Sequence, residues 1–176
     1  MSGQQFSADR RSLIEHIDSV AGLSTSLEQL QKDIVEAMLG QILHFNWTGF
    51  YMLDPGDSAM LVLGPFVGDP TPHTRIPVSQ GICGAAVEAG ETVVVDDVGS
   101  DPRYLSCSIE TKSEIVVPIF ANGRVVGEID IDSHTPAAFK EEDRVFLEEV
   151  ARIVGGYLDK HPTESITVQS SPASQA

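Results

Sequence analysis

Two cysteines and a set of acids embedded in apolar sequence are the side chains of this chain that could do redox and proton chemistry. Cys107 sits in polar sequence between Ser106 and Ser108. It is followed by Ser113-Glu114-Ile115-Val116-Val117-Pro118 and then by Gly127-Glu128-Ile129-Asp130-Ile131-Asp132. Residues two apart on a strand share a face, so Asp130 and Asp132 project together while Ile129 and Ile131 project the other way. With Glu114 on the neighbouring strand of a hairpin, three acids line one pocket within reach of the Cys107 loop. Crowded carboxylates push one pKa upward and keep a proton available, so a thiol nucleophile would lie beside a proton donor.

Each of these residues also has a structural reading. Cys83, in Gly81-Ile82-Cys83-Gly84, could be a small buried apolar residue. Glu114 could be a solvated edge residue, and Asp130 and Asp132 the outer face of a half-exposed strand. Against this, residues 115–119 show no polar alternation, which suits strands covered on both faces. Asp130-x-Asp132-x-His134 offers three ligand-type side chains, but the spacing fits none of the familiar zinc patterns, so no metal is expected. Arg75 could hold a carboxylate or pair with a surface acid. Arg103 or Lys112 could supply the positive field that a Cys107 thiolate needs.

The elements that position these groups follow from periodicity and punctuation. Leu27, Leu30, Ile34, Val35, Met38, Leu39, Ile42 and Leu43 recur at helical spacing, which predicts an amphipathic helix over 27–43 begun near Ser24 or Ser26. Strands are expected over 47–53 and 60–67, joined by Asp54-Pro55-Gly56-Asp57-Ser58. A short strand at 75–78, a helix opening at 81–87 and a strand at 91–96 come next, then a polar loop over 97–110 of the kind that carries function. Strands over 114–120 and 124–131 flank Asn122-Gly123, the strongest short hairpin signal. An amphipathic helix over 141–158 closes the domain. The order predicts an α+β fold, a central antiparallel sheet with terminal helices on one face and loops on the other.

The chain has 176 residues with 26 acidic against 11 basic, a net charge of −15. That balance repels phosphate backbones and anionic lipid and argues against nucleic-acid or membrane partners. No apolar run approaches a bilayer span, and residues 1–11 lack the apolar core of a signal peptide. A cytoplasmic location is expected, where two cysteines are free, redox-active or buried rather than bridged. Residues 1–23 read as an N-terminal helical extension, 24–160 as the single domain, and 161–176, rich in Ser, Thr, Pro and Gln, as a disordered tail.

Asn46-Trp47-Thr48-Gly49-Phe50-Tyr51, Leu63-Gly64-Pro65-Phe66, Arg75-Ile76-Pro77-Val78, Gly81-Ile82-Cys83-Gly84, Ser113 to Pro118 and Asp130-Ile131-Asp132-Ser133 occur in order and at compact spacing. Together they resemble the free methionine-(R)-sulfoxide reductases, which are single GAF domains. The resemblance implies an enzyme that reduces the free amino acid methionine sulfoxide and not sulfoxide within proteins. It further implies that Cys107 is the catalytic cysteine, that Glu114, Asp130 and Asp132 are pocket acids, and that Trp47 and Tyr51 are pocket aromatics. A thiolate attacks sulfoxide sulfur only if the leaving oxygen is protonated, which is work for the acids. The sulfenic acid left on Cys107 would condense with a second thiol into a disulfide reopened by thioredoxin or another thiol, with no other cofactor. Such domains commonly form homodimers.

The family usually carries its resolving cysteine about ten residues before Gly-x-Cys-Gly; His73 stands there in this chain. Three outcomes remain open: Cys83 resolves through a Cys83–Cys107 disulfide, which is the expectation, an external thiol resolves, or catalysis is lost. A reading of a different class is a non-catalytic GAF sensing module that binds a small ligand, and a third is a redox switch without turnover.

Overall fold

The computed structural model describes residues 7–106 and 108–164. Its centre is one antiparallel sheet in the order β3-β2-β1-β6-β5-β4. The strands are β1 Trp47–Asp54, β2 Asp57–Val67, β3 Arg75–Pro77, β4 Val93–Val95, β5 Ser113–Ala121 and β6 Arg124–Ser133. The β5–β6 hairpin turns on Asn122 and Gly123, whose φ angles are 49° and 72°. Positive φ at both central positions is what a type I′ turn requires, and its twist matches that of the flanking strands. At the β1–β2 turn the Asp54 carboxylate accepts from Gly56 N at 2.9 Å.

Helices cover both faces of the sheet. α1 (Ala8–Leu23), α2 (Leu27–Met38) and α4 (Glu141–Lys160) lie on one face, and α3 (Gly81–Ala89) on the other. Alternation along the strands divides the core accordingly. Phe50, Met52, Ile115, Val117, Ile119, Ile129 and Ile131 join the layer of α1, α2 and α4. Trp47, Tyr51 and Val116 join Ile82, Cys83, Ala86 and Val87 of α3. Burying each of Ile129 and Ile131 contributes about 1.5–3 kcal/mol. A one-residue slip of β6 would turn both away from the helices and aim its acids into that layer, so the register is fixed. The α+β arrangement expected from the element order is the one observed.

The boundaries differ in instructive ways. Ser26 caps α2, its hydroxyl accepting from Gln29 N at 3.1 Å, but the helix ends at Met38 and not at 43. Gly40 adopts a left-handed φ of 72°, which halts the helix even though the apolar repeat runs on. Ile42 stays buried in non-helical backbone, while Leu39 and Leu43 are exposed. α1 belongs to the core, with Ile17 wholly buried and Arg10 paired to the buried Asp143 of α4. Beyond α4, Glu164 accepts from the Tyr157 hydroxyl at 2.8 Å and from Leu27 N, so the chain packs against the helical layer to residue 164. Residues 165–176, the remainder of the expected tail, lie outside the described residues. No described helix is long and apolar enough to cross a membrane.

Candidate active site

The register of β6 builds the site. Asp132 stands opposite Glu114 on β5 and Trp47 on β1; Asp130 stands opposite Val116 and Gly49; Glu128 stands opposite Pro118 and Tyr51. Glu128, Asp130 and Asp132 therefore form a ladder on the face covered by α3. Gly84 lets α3 pack tightly against the segment that leads into it from β3: a Cβ there would lie 2.3 Å from the Val78 carbonyl oxygen. The helix carries the Cys83 thiol over the ladder, its Sγ 3.6 Å from Asp130 Oδ2. Cys83, Glu114 and Asp130 each present one ligand-type atom within 4.8 Å of the others.

Aromatic rings wall the upper end. Gly49 leaves room for the Trp47 indole, since a Cβ there would lie 2.4 Å from Trp47 Cη2. The indole stacks on Phe66 at 5.4 Å and on Tyr51 at 6.3 Å, and its Nε1 donates to the Asp69 carbonyl at 3.1 Å. The Tyr51 hydroxyl donates to the His73 carbonyl at 2.7 Å. Trp47, Ser108, Thr111, Asp132 and His134 help line a cleft of about 180 Å³. A larger groove of about 630 Å³ runs along α4 and β5 and contains none of the ladder acids.

Burial governs the electrostatics. Glu128 is wholly buried, with the Cys83 thiol as its hydrogen-bonding neighbour. Desolvation pushes its pKa up to about 8, with the contact to Cys83 acting in the opposite direction. Asp130 is likewise raised to about 8, by desolvation and then by the charge of Glu128. Glu114 and Asp132 are raised by burial first and by Asp130 next, with a bond from Thr111 to Asp132 acting in the opposite direction. Burial also lifts the Cys83 thiol well above its ordinary range, reinforced by the charges of Asp130, Glu128 and Glu114. Among the described residues, none of the four carboxylates is in a salt bridge. Near neutral pH the ladder is thus a store of protons.

The structure brings Glu114, Asp130, Asp132, Trp47 and Tyr51 together on one face of the sheet, and adds Cys83, which packs against Asp130. Cys107 lies outside the described residues. Of its neighbours, Ser108 lines the cleft, and the Ser106 carbonyl meets His73 Nε2 at 3.1 Å. The remaining candidates are engaged by other groups. His134 lines the cleft with Asp132 and faces Glu110 at 3.6 Å. Arg75 pairs with Asp54 at 2.7 Å, the surface-acid alternative. Arg103 is held in a fork by Asp101, and Lys112 donates to the Ile109 carbonyl at 3.4 Å. The acid the sequence reading passed over is Glu128, although the parity that groups Asp130 with Asp132 selects it too. Thr111 carried no comparable signal.

The GAF domain family matches residues 26–158. The chain is 42% identical over 110 residues to the free methionine-R-sulfoxide reductase of Saccharomyces cerevisiae, covering 62% of this chain and 61% of that protein. It therefore spans less than two thirds of that relative's length. It is 38% identical over 120 residues to GAF domain-containing protein A of Dictyostelium discoideum, covering 68% and 74% of the two chains. An X-ray structure of free methionine-R-sulfoxide reductase from Neisseria meningitidis in complex with its substrate superposes with a TM-score of 0.81 at 36% identity, over 92% of this chain and 99% of that one.

Proposed function

The chain belongs to the GAF domain family and to its free methionine-R-sulfoxide reductase branch, and from that premise we propose that it reduces free L-methionine-(R)-sulfoxide to methionine with Cys107 as nucleophile. The observation that carries this reading is the set of buried acids, of which Asp132 lines the Trp47-walled cleft that Ser108, the neighbour of Cys107, also lines.

In this mechanism the Cys107 thiolate attacks the sulfoxide sulfur while a neutral carboxyl of Glu114, Asp130 or Asp132 gives its proton to the sulfoxide oxygen. The adduct's Sγ–S bond and the substrate's S–O bond then break as the hydroxyl passes to Cys107 Sγ, so methionine leaves and Cys107 is left as a sulfenic acid. Two electrons pass from the thiol to the sulfoxide. A carboxylate that remains ionised pairs with the substrate ammonium. Trp47 gives the S-methyl group a flat apolar wall, and Tyr51, tied to the His73 carbonyl, backs that ring.

The sulfenic acid must then meet a thiol. Cys83 is the candidate within the chain, yet it is buried beside Asp130 with its thiol held neutral, and the attacking species in such exchange is the thiolate. This environment favours resolution by an external dithiol of the thioredoxin kind. The second reading, a Cys83–Cys107 disulfide, is distinguished by mass spectrometry of non-reduced peptides after substrate addition. A cytoplasmic, reducing setting and a homodimer complete the proposal; Leu23, Leu39 and Leu43 around the helical layer are exposed, and light scattering reads the assembly.

The test is consumption of free L-methionine-(R)-sulfoxide by purified protein with thioredoxin or dithiothreitol. Turnover with either, abolished in Cys107→Ser, is expected. No turnover with both sinks the reductase reading and favours a ligand-binding sensor module.

A further inference from the structure

We infer that His134 holds the substrate's carboxylate at the mouth of the cleft and so restricts the site to free amino acids, an assignment that rests on the reductase reading for the identity of the ligand. A free amino acid carries a cation and an anion on one carbon. A methionine sulfoxide inside a protein carries two neutral peptide groups there. Telling the first from the second takes one protein group of each charge, and the ladder acids supply only the negative one.

Of the described residues that line the cleft, His134 alone can carry positive charge. Arg75, the cation that the sequence offered for a carboxylate, is paired with Asp54. His134 lies two residues beyond Asp132, where β6 ends at Ser133, and extended backbone sets residues at that spacing about 6.7 Å apart. The ammonium and the carboxylate of one amino acid fit between two such side chains, the first toward Asp132 and the second toward His134.

The corner that carries the ring is fixed on two sides. Asn46 Oδ1 accepts from His134 N at 2.8 Å and from the Ser133 hydroxyl at 3.4 Å, and the Ser133 carbonyl accepts from Lys112 N at 2.8 Å. The ring is oriented through Nδ1, 3.6 Å from Glu110 Oε2. A ring that faces one carboxylate through Nδ1 and takes a second at Nε2 is doubly protonated, since both nitrogens then donate. Glu110 is therefore a positioning residue for His134. The ring is exposed, so discrimination at this mouth comes from charge and not from a wall.

The test uses the full chain and two ligands, free L-methionine-(R)-sulfoxide and its carboxamide, which keeps the ammonium and the sulfoxide but has no anion. Binding to Cys107→Ser is read from the fluorescence of Trp47, the only tryptophan of the chain and part of the cleft wall. The acid should bind roughly tenfold or more tighter than the amide, the difference a charge-assisted bond makes. His134→Ala in that background should weaken the acid to the level of the amide and leave the amide unchanged. His134→Gln, closer in shape, should do the same, so either variant reads the result. In turnover with Cys107 intact, the loss should appear in KM more than in kcat. A preference for the acid that survives both substitutions, an equal loss on the two ligands, or an intact His134 that gives no preference overturns the assignment. Selective binding of the acid that depends on His134, in a protein that never turns over substrate, keeps the subsite and refutes the reductase.

Discussion

Asp132 is the acid that both lines the cleft and faces Glu114 across the β5–β6 ladder, which suits it to meet the substrate ammonium. Asp132→Asn keeps the shape and removes the charge. It should raise KM and lower kcat/KM by roughly 10–100-fold, about 1.4–2.8 kcal/mol of lost charge-assisted bonding. An unaltered KM would show that the ammonium is held elsewhere. Gly49→Ala acts on the wall instead: its Cβ would meet the Trp47 ring at 2.4 Å and the Phe66 Cβ at 2.9 Å. The indole must shift, so kcat/KM should fall while the acids stay in place. At this scale the sequence was legible wherever side-chain parity decides, as for Asp130, Asp132 and Glu114. It was not legible for Cys83 against Asp130, because that contact depends on how closely α3 approaches the sheet. Parity alone also selects Glu128; its complete burial depends on the same helix, which no local pattern announces.

The docking of α3 is therefore the element-scale feature on which the site hangs. Gly84→Ala would place a Cβ 2.3 Å from the Val78 carbonyl oxygen and 2.9 Å from its carbon. Backbone cannot yield as a flexible side chain does, so a loss of about 1–3 kcal/mol is expected in urea unfolding. The Cys83 thiol should also react faster with a thiol reagent. A change below about 0.5 kcal/mol, the ordinary range for surface substitutions, would mean the helix is not tightly seated. Elements whose signal is local were legible. Asn122-Gly123 marked its hairpin, and the apolar repeat of 141–158 marked α4, which runs two residues further to Lys160. The end of α2 was not. Its apolar repeat continues through Ile42, which does reach the core, but a left-handed Gly40 takes the chain there without a helix. Periodicity reports which residues are buried; only backbone conformation reports how they get there.

For the whole molecule, 26 acids and a net charge of −15 suggest a protein that weakens as its surface charge grows, and the buried ladder adds a second effect of the same sign. A surface carboxylate with a depressed pKa stabilises at high pH and loses that contribution in acid. The ladder acids behave oppositely. Glu128 moves from an ordinary value of 4.5 to about 8 on folding, so the folded state binds the extra proton throughout that interval. Stability attributable to it is complete below about pH 4.5 and is lost as pH rises through about 8, at up to about 1.4 kcal/mol per pH unit for each such group. Asp130, raised to about 8 from 3.8, pulls the same way. Unfolding free energy measured by urea, with a chelator present to exclude cations, should fall between pH 5 and 8. Glu128→Gln cannot ionise, so its curve should be flatter by up to one group's slope, and the variant should gain on the wild type as pH rises. Parallel curves would mean that Glu128 binds no extra proton on folding. Glu128 would then carry its charge even when buried, and that charge would push the neighbouring Asp130, one of the three candidate donors, further toward its neutral form.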